Sequence, residues 1–285
     1  MNYICQTILF SLEITMRNML KITALLSGFL ILFIIYHKKT EIIDPIEIEK
    51  QPQVNENFEK YSPLIDKING ENNKIKNIVI KNMPIKVKTN GMTFRLSGDL
   101  AHEKEKCFRF IVTSKLTGKE MDLGSNHNIF WFWSKRVNPP ALYFAKHEDL
   151  WKTNLKTPLN PTLMIESLNV GMINKKLISK CHEDEKYFYL CEKRKSTTGD
   201  DCILATVIDK TNNQVKSRKL LDMNSNVIVN TIYKDNIIFI EWKDENASME
   251  WDTSNKQINV SIPESLWKMP DYKKKINMGE QLLVE

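Results

Sequence analysis

Between residues 75 and 147 large apolar side chains recur at every second position, broken only by short polar stretches. Phe94 and Leu96 alternate with Arg95 and Ser97; Phe108, Phe110 and Val112 alternate with Arg109 and Thr113. A period of two puts one set on a single face, so the pattern predicts antiparallel strands buried on one side. The expected strands are 75–80, 84–89, 92–101, 106–116, 128–134 and 141–147. Their starts lie roughly 10 to 18 residues apart, too close for crossover helices, which argues against a parallel sheet. One stretch departs from the rule. In Ile129-Phe130-Trp131-Phe132-Trp133, residues 129, 131 and 133 point one way and 130 and 132 the other, and neither set is polar. Both faces must be covered, by protein, by a membrane or by an apolar ligand. Gly124-Ser125-Asn126 before it and Pro139-Pro140 after it supply turn chemistry, and Leu142-Tyr143-Phe144-Ala145 closes the hairpin.

Helical spacing occurs in two places. Phe58, Tyr61, Ile65 and Ile68 predict a helix over about 57–69, with Pro63 near its start and Gly70 as its C-cap. In the second, Asn160 is the expected N-cap and Pro161 the first helical residue. Met164, Ile165 and Leu168 form its apolar face, and Gly171 can end it. Strands resume at 187–190, 203–208, 214–221, 227–233 and 237–242, with a tight turn at Asp235-Asn236. A last strand at 258–262 and a short helix over 263–267 precede a charged tail that is expected to fray. The fold class is mainly β (α+β): a single antiparallel sheet of about eleven strands with two or three helices, and a sheet of that size must curl or close.

The N-terminus changes the picture. Residues 22–36 are an apolar run of fifteen, flanked by Arg17 and Lys21 and by His37, Lys38 and Lys39. As a helix it is about 22 Å long, short of the roughly 30 Å hydrocarbon core, but flanking lysines can snorkel. No small-x-small cleavage pattern follows it. Leu25-Leu26-Ser27-Gly28 looks like a bacterial lipoprotein signal, except that Phe29 stands where the lipidated cysteine belongs. The expected organisation is a signal anchor over 1–39, a linker over 40–57, one domain over 58–270 and a charged tail over 271–285. The expected attachment is a single-pass anchor.

The 285 residues carry a formal charge of +6, scattered except for Lys273-Lys274-Lys275, which reads as a solvated surface and not a nucleic-acid stripe. The five cysteines include no C-x-x-C, and Cys181, Cys191 and Cys202 with His182 lack zinc spacing. Free buried thiols are expected; a disulfide between two of those three requires an oxidising compartment. No nucleophile elbow, phosphate-cradling glycine loop or H-E-x-x-H occurs, so no enzyme, cofactor or metal is expected. His102 with Glu103 and Glu105, and His182 with Glu183 to Glu185, read as solvated loop residues. His127 and His147 flank the aromatic hairpin with no nucleophile or ligand set. Asp122 reads as a cap for the 124–126 turn.

Taken in order, several stretches resemble the LolA/LolB-like lipoprotein-localisation superfamily, above all its planctomycete- and chlamydia-type envelope lipoproteins. They are Arg95-Leu96-Ser97-Gly98-Asp99-Leu100, Cys107-Phe108-Arg109-Phe110, Asp122-Leu123-Gly124-Ser125-Asn126, Phe130-Trp131-Phe132-Trp133 and Pro139-Pro140-Ala141-Leu142-Tyr143. The similarity is clearest over about 90–170 and only architectural over 185–262. It implies an eleven-stranded half-open barrel with helices closing its mouth, and an apolar concave face that holds acyl chains of a lipoprotein or lipid. It carries no catalytic residue. The missing lipobox cysteine favours tethering through residues 22–36, and the resemblance implies a bacterial cell envelope location with the domain in the periplasm. Alternation then places Phe94, Leu96, Phe108, Phe110, Trp131, Trp133, Leu142 and Phe144 on the lipid-binding wall; the opposite assignment for 128–134, giving Phe130 and Phe132, stays open. Met164 and Met172 suit adaptable packing against variable chains. The implied partners are acyl chains or lipoproteins, in sorting to the outer membrane. The second reading is a protein-interaction or envelope-stress sensor module of the same fold with an envelope protein partner.

Overall fold

The computed structural model describes residues 58–104, 107–152, 161–196, 199–243 and 245–280. The expected anchor and linker lie outside the described residues. Among the described residues no helix is long and apolar enough to cross a membrane.

A single 3-10 turn at Phe58–Tyr61 leads into α1 (Ser62–Lys74). The chain then enters the middle of one open, curled sheet as β1 (Asn77–Thr89). It meanders outward through β2 (Met92–Glu103), β3 (Cys107–Ser114), β4 (Gly118–Ser125), β5 (Ile129–Ser134) and β6 (Leu142–Lys146). Residues 147–152 and 161–177 lie off the sheet and include α2 (Pro161–Ser167). The chain rejoins at the far edge as β7 (Ile178–Glu183) and returns inward through β8 (Tyr187–Lys195), β9 (Asp201–Asp209) and β10 (Val215–Leu221). It continues through β11 (Val227–Lys234) and β12 (Ile237–Trp242) to β13 (Ala247–Asp252), which pairs with β1. Two short strands finish the sheet: β14 (Gln257–Ile258) beside β1, and β15 (Lys275–Asn277) parallel to β6.

Among the described residues the sheet has fifteen strands, not the expected eleven. Its helical cover is thinner than the expected two or three helices: only α1, with thirteen residues, exceeds two turns among the described residues. The strands that sequence reading missed are β4, β7, β13 and β15, while the strand expected at 258–262 meets β14 only at Ile258. Most are polar or short, and their strand character comes from their neighbours. Conversely, the two strands expected at 75–80 and 84–89 are one strand, β1, bent by a bulge between Ile80 and Met83. Asn82 takes a positive φ of 51° there, and its N–H donates to Asp99 Oδ1 at 2.8 Å.

Gly70 does not end α1. The helix runs four residues further because its last turns are tied to the segment after α2. Asn69 exchanges two hydrogen bonds with the backbone of Ile173 (2.9 and 2.8 Å), and Asn72 donates to the Gly171 carbonyl at 3.0 Å. The tail does not simply fray either. The Lys274 carbonyl accepts from Leu142 N at 2.9 Å and Met278 N donates to the Phe144 carbonyl at 2.8 Å, which fixes β15 on the edge.

One buried cluster draws on both ends of the strand path, from Phe130 and Ala145 to Cys202, Leu220 and Trp242, so the sheet wraps around it. The Phe110 and Trp251 rings, from strands on either side of β1, stand 5.4 Å apart within it. A second cluster packs Tyr61, Ile65 and Ile68 over Cys181, Leu190 and Ile208. A third lies on the opposite face, where Trp267 covers Ala101 and Cys107.

Candidate functional site: the inner face and its cover

Strand register decides which side chains share the inner face. Leu100 pairs with Phe110, Phe110 with Leu123, Leu123 with Phe132 and Phe132 with Tyr143. Directly opposed residues point to one side, so this row is continuous across five strands. The other half contributes Leu204, Leu220, Val229 and Trp242, again in register. Against this surface, as its cover, pack the described residues between β6 and β7, with Leu150, Met164, Leu168 and Val170 buried and Ile165 against them. Between cover and sheet, among the described residues, lies a void of about 20 Å³, lined by residues that include Ser167, Leu204, Leu220 and Val229. That is room for a water molecule, not for an acyl chain.

The cover is held by polar contacts. Arg194 on β8 pairs with Glu166 of α2 and, at 3.1 Å, with Glu192. Burial works against the charge on Arg194, but the two carboxylates outweigh it and hold the guanidinium above its ordinary pKa. Tyr233 donates to the Glu166 carbonyl at 3.2 Å, and burial raises its phenol to about 12. Arg218, almost fully buried, donates to the Gly171 carbonyl at 3.3 Å. Glu192 accepts from Asn174 N at 2.9 Å. Beneath these, Thr206 Oγ1 and Arg218 Nε are buried with no hydrogen-bond partner among the described residues.

No family model matches the chain, and no curated protein matches its sequence. Solved structures do match. A domain from Vibrio parahaemolyticus, described as an outer membrane lipoprotein-sorting protein domain, superposes with a TM-score of 0.52 over 74% of this chain and 97% of its own, at 9% identity. The fold is LolA-like. A LolA superfamily protein from Nitrosomonas europaea (TM-score 0.48, 9% identity, 72% of this chain and 97% of its own) also matches. So does a DUF1329 family protein from Desulfovibrio piger (TM-score 0.49, 8% identity, 75% and 98%). At such identities the likeness concerns the fold alone.

Within the LolA-like sheet the eight residues expected on one wall divide between two faces. Phe94, Leu96, Phe108 and Phe110 belong to the inner core, together with Phe130 and Phe132. Trp131, Trp133, Leu142 and Phe144 are on the outer face, because Trp131 pairs with Gly124 and Phe144, and Trp133 with Asp122 and Leu142. Alternation within β5 could not orient it, since both of its faces are apolar. Its direction is set by β4, which sequence reading took for a loop. The covering of the outer face is protein. Trp131 is fully buried with the Arg109 guanidinium 5.4 Å from its ring centre. Trp133 stacks on Tyr272 at 5.3 Å.

Asp122 does not cap the turn. Its oxygens lie 2.7 Å from Arg109 Nε and 2.8 Å from Arg109 Nη2, with Lys119 Nζ at 3.0 Å. The turn is closed instead by Asn126 Oδ1, which accepts from Asn128 N and Ile129 N, both at 3.0 Å. His102 is buried on β2, not solvated, with Nδ1 3.0 Å from the Cys107 carbonyl. His182 lies on β7 and stacks on Tyr189 at 4.4 Å. Of the two histidines flanking the hairpin, His127 Nε2 is 3.7 Å from Cys107 Sγ and His147 Nε2 is 2.7 Å from the Asn126 carbonyl. Cys107, Cys181, Cys191 and Cys202 are free thiols. Among the described residues no three His, Cys, Asp or Glu side chains gather as metal ligands.

Proposed function

We propose that this chain is a non-enzymatic module of the bacterial envelope that holds acyl chains of lipids or lipoproteins on its inner face, tethered through residues 22–36. One observation carries the reading: the apolar inner face of a LolA-like sheet is roofed by a short separate segment, not by another sheet. In the closed form that segment stands where an acyl chain would lie. The energies compare well. An acyl chain of about fourteen methylenes gains about 11 kcal/mol on burial, at about 0.8 kcal/mol each. The four side chains buried by the cover, Leu150, Met164, Leu168 and Val170, are worth about 6–12 kcal/mol together. Exchange of cover for ligand is therefore close to balanced, as reversible loading requires.

The packing of Leu150, Met164, Leu168 and Val170 into the buried cluster supports a second reading, a protein-interaction or envelope-sensor module in which the inner face is plain core. Native mass spectrometry of the full chain, followed by lipid extraction, separates the two. Co-purifying acyl species are expected. A chain that is always empty and binds no fatty-acid probe, yet recovers one defined membrane protein, would overturn the acyl reading in favour of the second.

A further inference from the structure

Beside the cover lies an open cleft of about 960 Å³. Its wall carries five cationic side chains, Lys175, Lys176, Lys193, Arg194 and Lys195. Two acidic residues face them, and each is already engaged: Asp66 with Lys175 at 2.6 Å and Asp201 with Lys195 at 2.8 Å. Lys176 and Lys193 are exposed and have no carboxylate partner among the described residues. The same cleft holds Met172 and Leu177, 48% and 39% exposed, two of the six large apolar side chains left exposed among the described residues. Unpaired cations beside exposed apolar side chains suit an amphiphile with a negative head, and suit a free polar solute poorly.

Position ties this cleft to the inner face. Arg194 lines the cleft and also pairs with Glu166 of α2, which itself borders the void beneath the cover. We propose that the cleft is a headgroup subsite, so that the ligands are acyl amphiphiles with an anionic head, phosphate or carboxylate. This rests on the acyl-binding reading above and narrows it to a ligand class. The tail replaces the cover on the inner face while the head sits among Lys176, Lys193 and Arg194. An anion at Arg194 takes the place of the Glu166 carboxylate, so that head binding and release of α2 go together. Guanidinium and phosphate or carboxylate match as paired donors and acceptors, which makes the exchange at Arg194 an even one.

The test is a competition. The full chain in neutral maltoside detergent is mixed with equal amounts of lauroyl lysophosphatidate and monolauroylglycerol, which share one tail, and adducts are counted by native mass spectrometry. A preference of about tenfold for the anionic ligand is expected from a few charge-assisted contacts at a partly exposed site. In K176E/K193E, which alters only exposed positions, the ratio should fall to about one while the neutral adduct persists. Equal adducts in the unmodified chain, or a preference untouched by the double substitution, would overturn the headgroup subsite and leave acyl binding standing. Inorganic phosphate displacing the lysophosphatidate at equal concentration would overturn it too, by showing a site for phosphate as such. Absence of both adducts would remove the acyl reading itself, and this proposal with it.

Discussion

The indole of Trp131 occupies the space in which any side chain at Gly124 would stand. A β-carbon at 124 would lie 2.2 Å from the ring Cζ2 and 2.3 Å from Cε2. The two residues are directly paired across β4 and β5, and the ring is fully buried with Arg109 beside it, so it has nowhere to move. Gly124→Ala should therefore cost about 3 kcal/mol, the upper part of the overpacking range. Denaturant midpoints at constant slope measure this. In the Trp131→Phe background the same change should cost clearly less, giving a coupling of about 1 kcal/mol or more. Additive costs would mean that the ring is not what excludes the side chain.

This relationship also explains what was legible in the sequence. Phe94, Leu96, Phe108 and Phe110 could be assigned to one face because their neighbours Arg95, Ser97 and Arg109 are polar. In β5 no polar neighbour exists, so alternation gave a period without a direction. The direction comes from β4, where Leu123 faces inward and Asp122 and Gly124 face outward. Asp122 and Gly124 look like loop residues until Arg109 and Trp131 are placed against them. β15 is the same case at the tail: Lys275, Ile276 and Asn277 form a strand because the edge of β6 offers backbone partners. Helix α1 outlasts Gly70 for a similar reason, through Asn69 and Asn72. The polar hold on the cover, Glu166 with Arg194, joins residues far apart in the chain, and no local pattern announces it.

The Arg109–Asp122 pair should matter beyond its own two strands. Asp122 is fully buried, and Arg109 Nη1 donates to the carbonyls of Leu266 and Lys268, both at 3.1 Å. One guanidinium thus joins β3 and β4 to the C-terminal segment on the outer face. Asp122→Asn leaves a buried cation without its counter-charge and should cost about 3–5 kcal/mol. Arg109→Met keeps the apolar stem but removes the donors. Hydrogen exchange over 264–277 should speed up in both variants, and trypsin should cut sooner at Lys273 to Lys275. Wild-type protection of that segment in Arg109→Met would show that the guanidinium does not hold it.

Stability should fall on mild acidification because of His102. Burial lowers its pKa from 6.5, and the neutral ring can donate from Nδ1 to the Cys107 carbonyl. Below pH 6.5 the unfolded chain takes up a proton that the folded chain refuses, so stability is full above 6.5 and declines as pH drops towards the folded pKa. The carboxylates of Glu183, Asp184 and Asp209 are held below their ordinary values by hydrogen bonds, from Lys60, Tyr189 and Thr211 respectively, and lose their contribution only below about pH 5. Between about pH 7.5 and 5.5 the wild type should lose up to about 1 kcal/mol that His102→Gln does not lose. Urea midpoints at the two pH values decide it; parallel losses in both proteins would assign the effect to other groups.

The cover offers the sharpest separation of ligand site from core. Leu168, the residue after α2, is almost fully buried in the same cluster as Leu123, which is fully buried in the sheet. Truncation of either to Ala removes similar apolar contact, and in an ordinary core each would cost about 2–5 kcal/mol of global stability. The two differ if a ligand displaces the cover. Leu168→Ala then weakens only the closed form that competes with the ligand, and each 1.4 kcal/mol taken from it should raise affinity for a fluorescent fatty acid about tenfold. Leu123→Ala weakens the wall that the ligand shares, so affinity should fall. Opposite signs for these two variants, from the same probe, are the expected result. If both merely destabilise the chain and neither binds the probe better than wild type, the cover is permanent core and a protein partner becomes the better account of the fold.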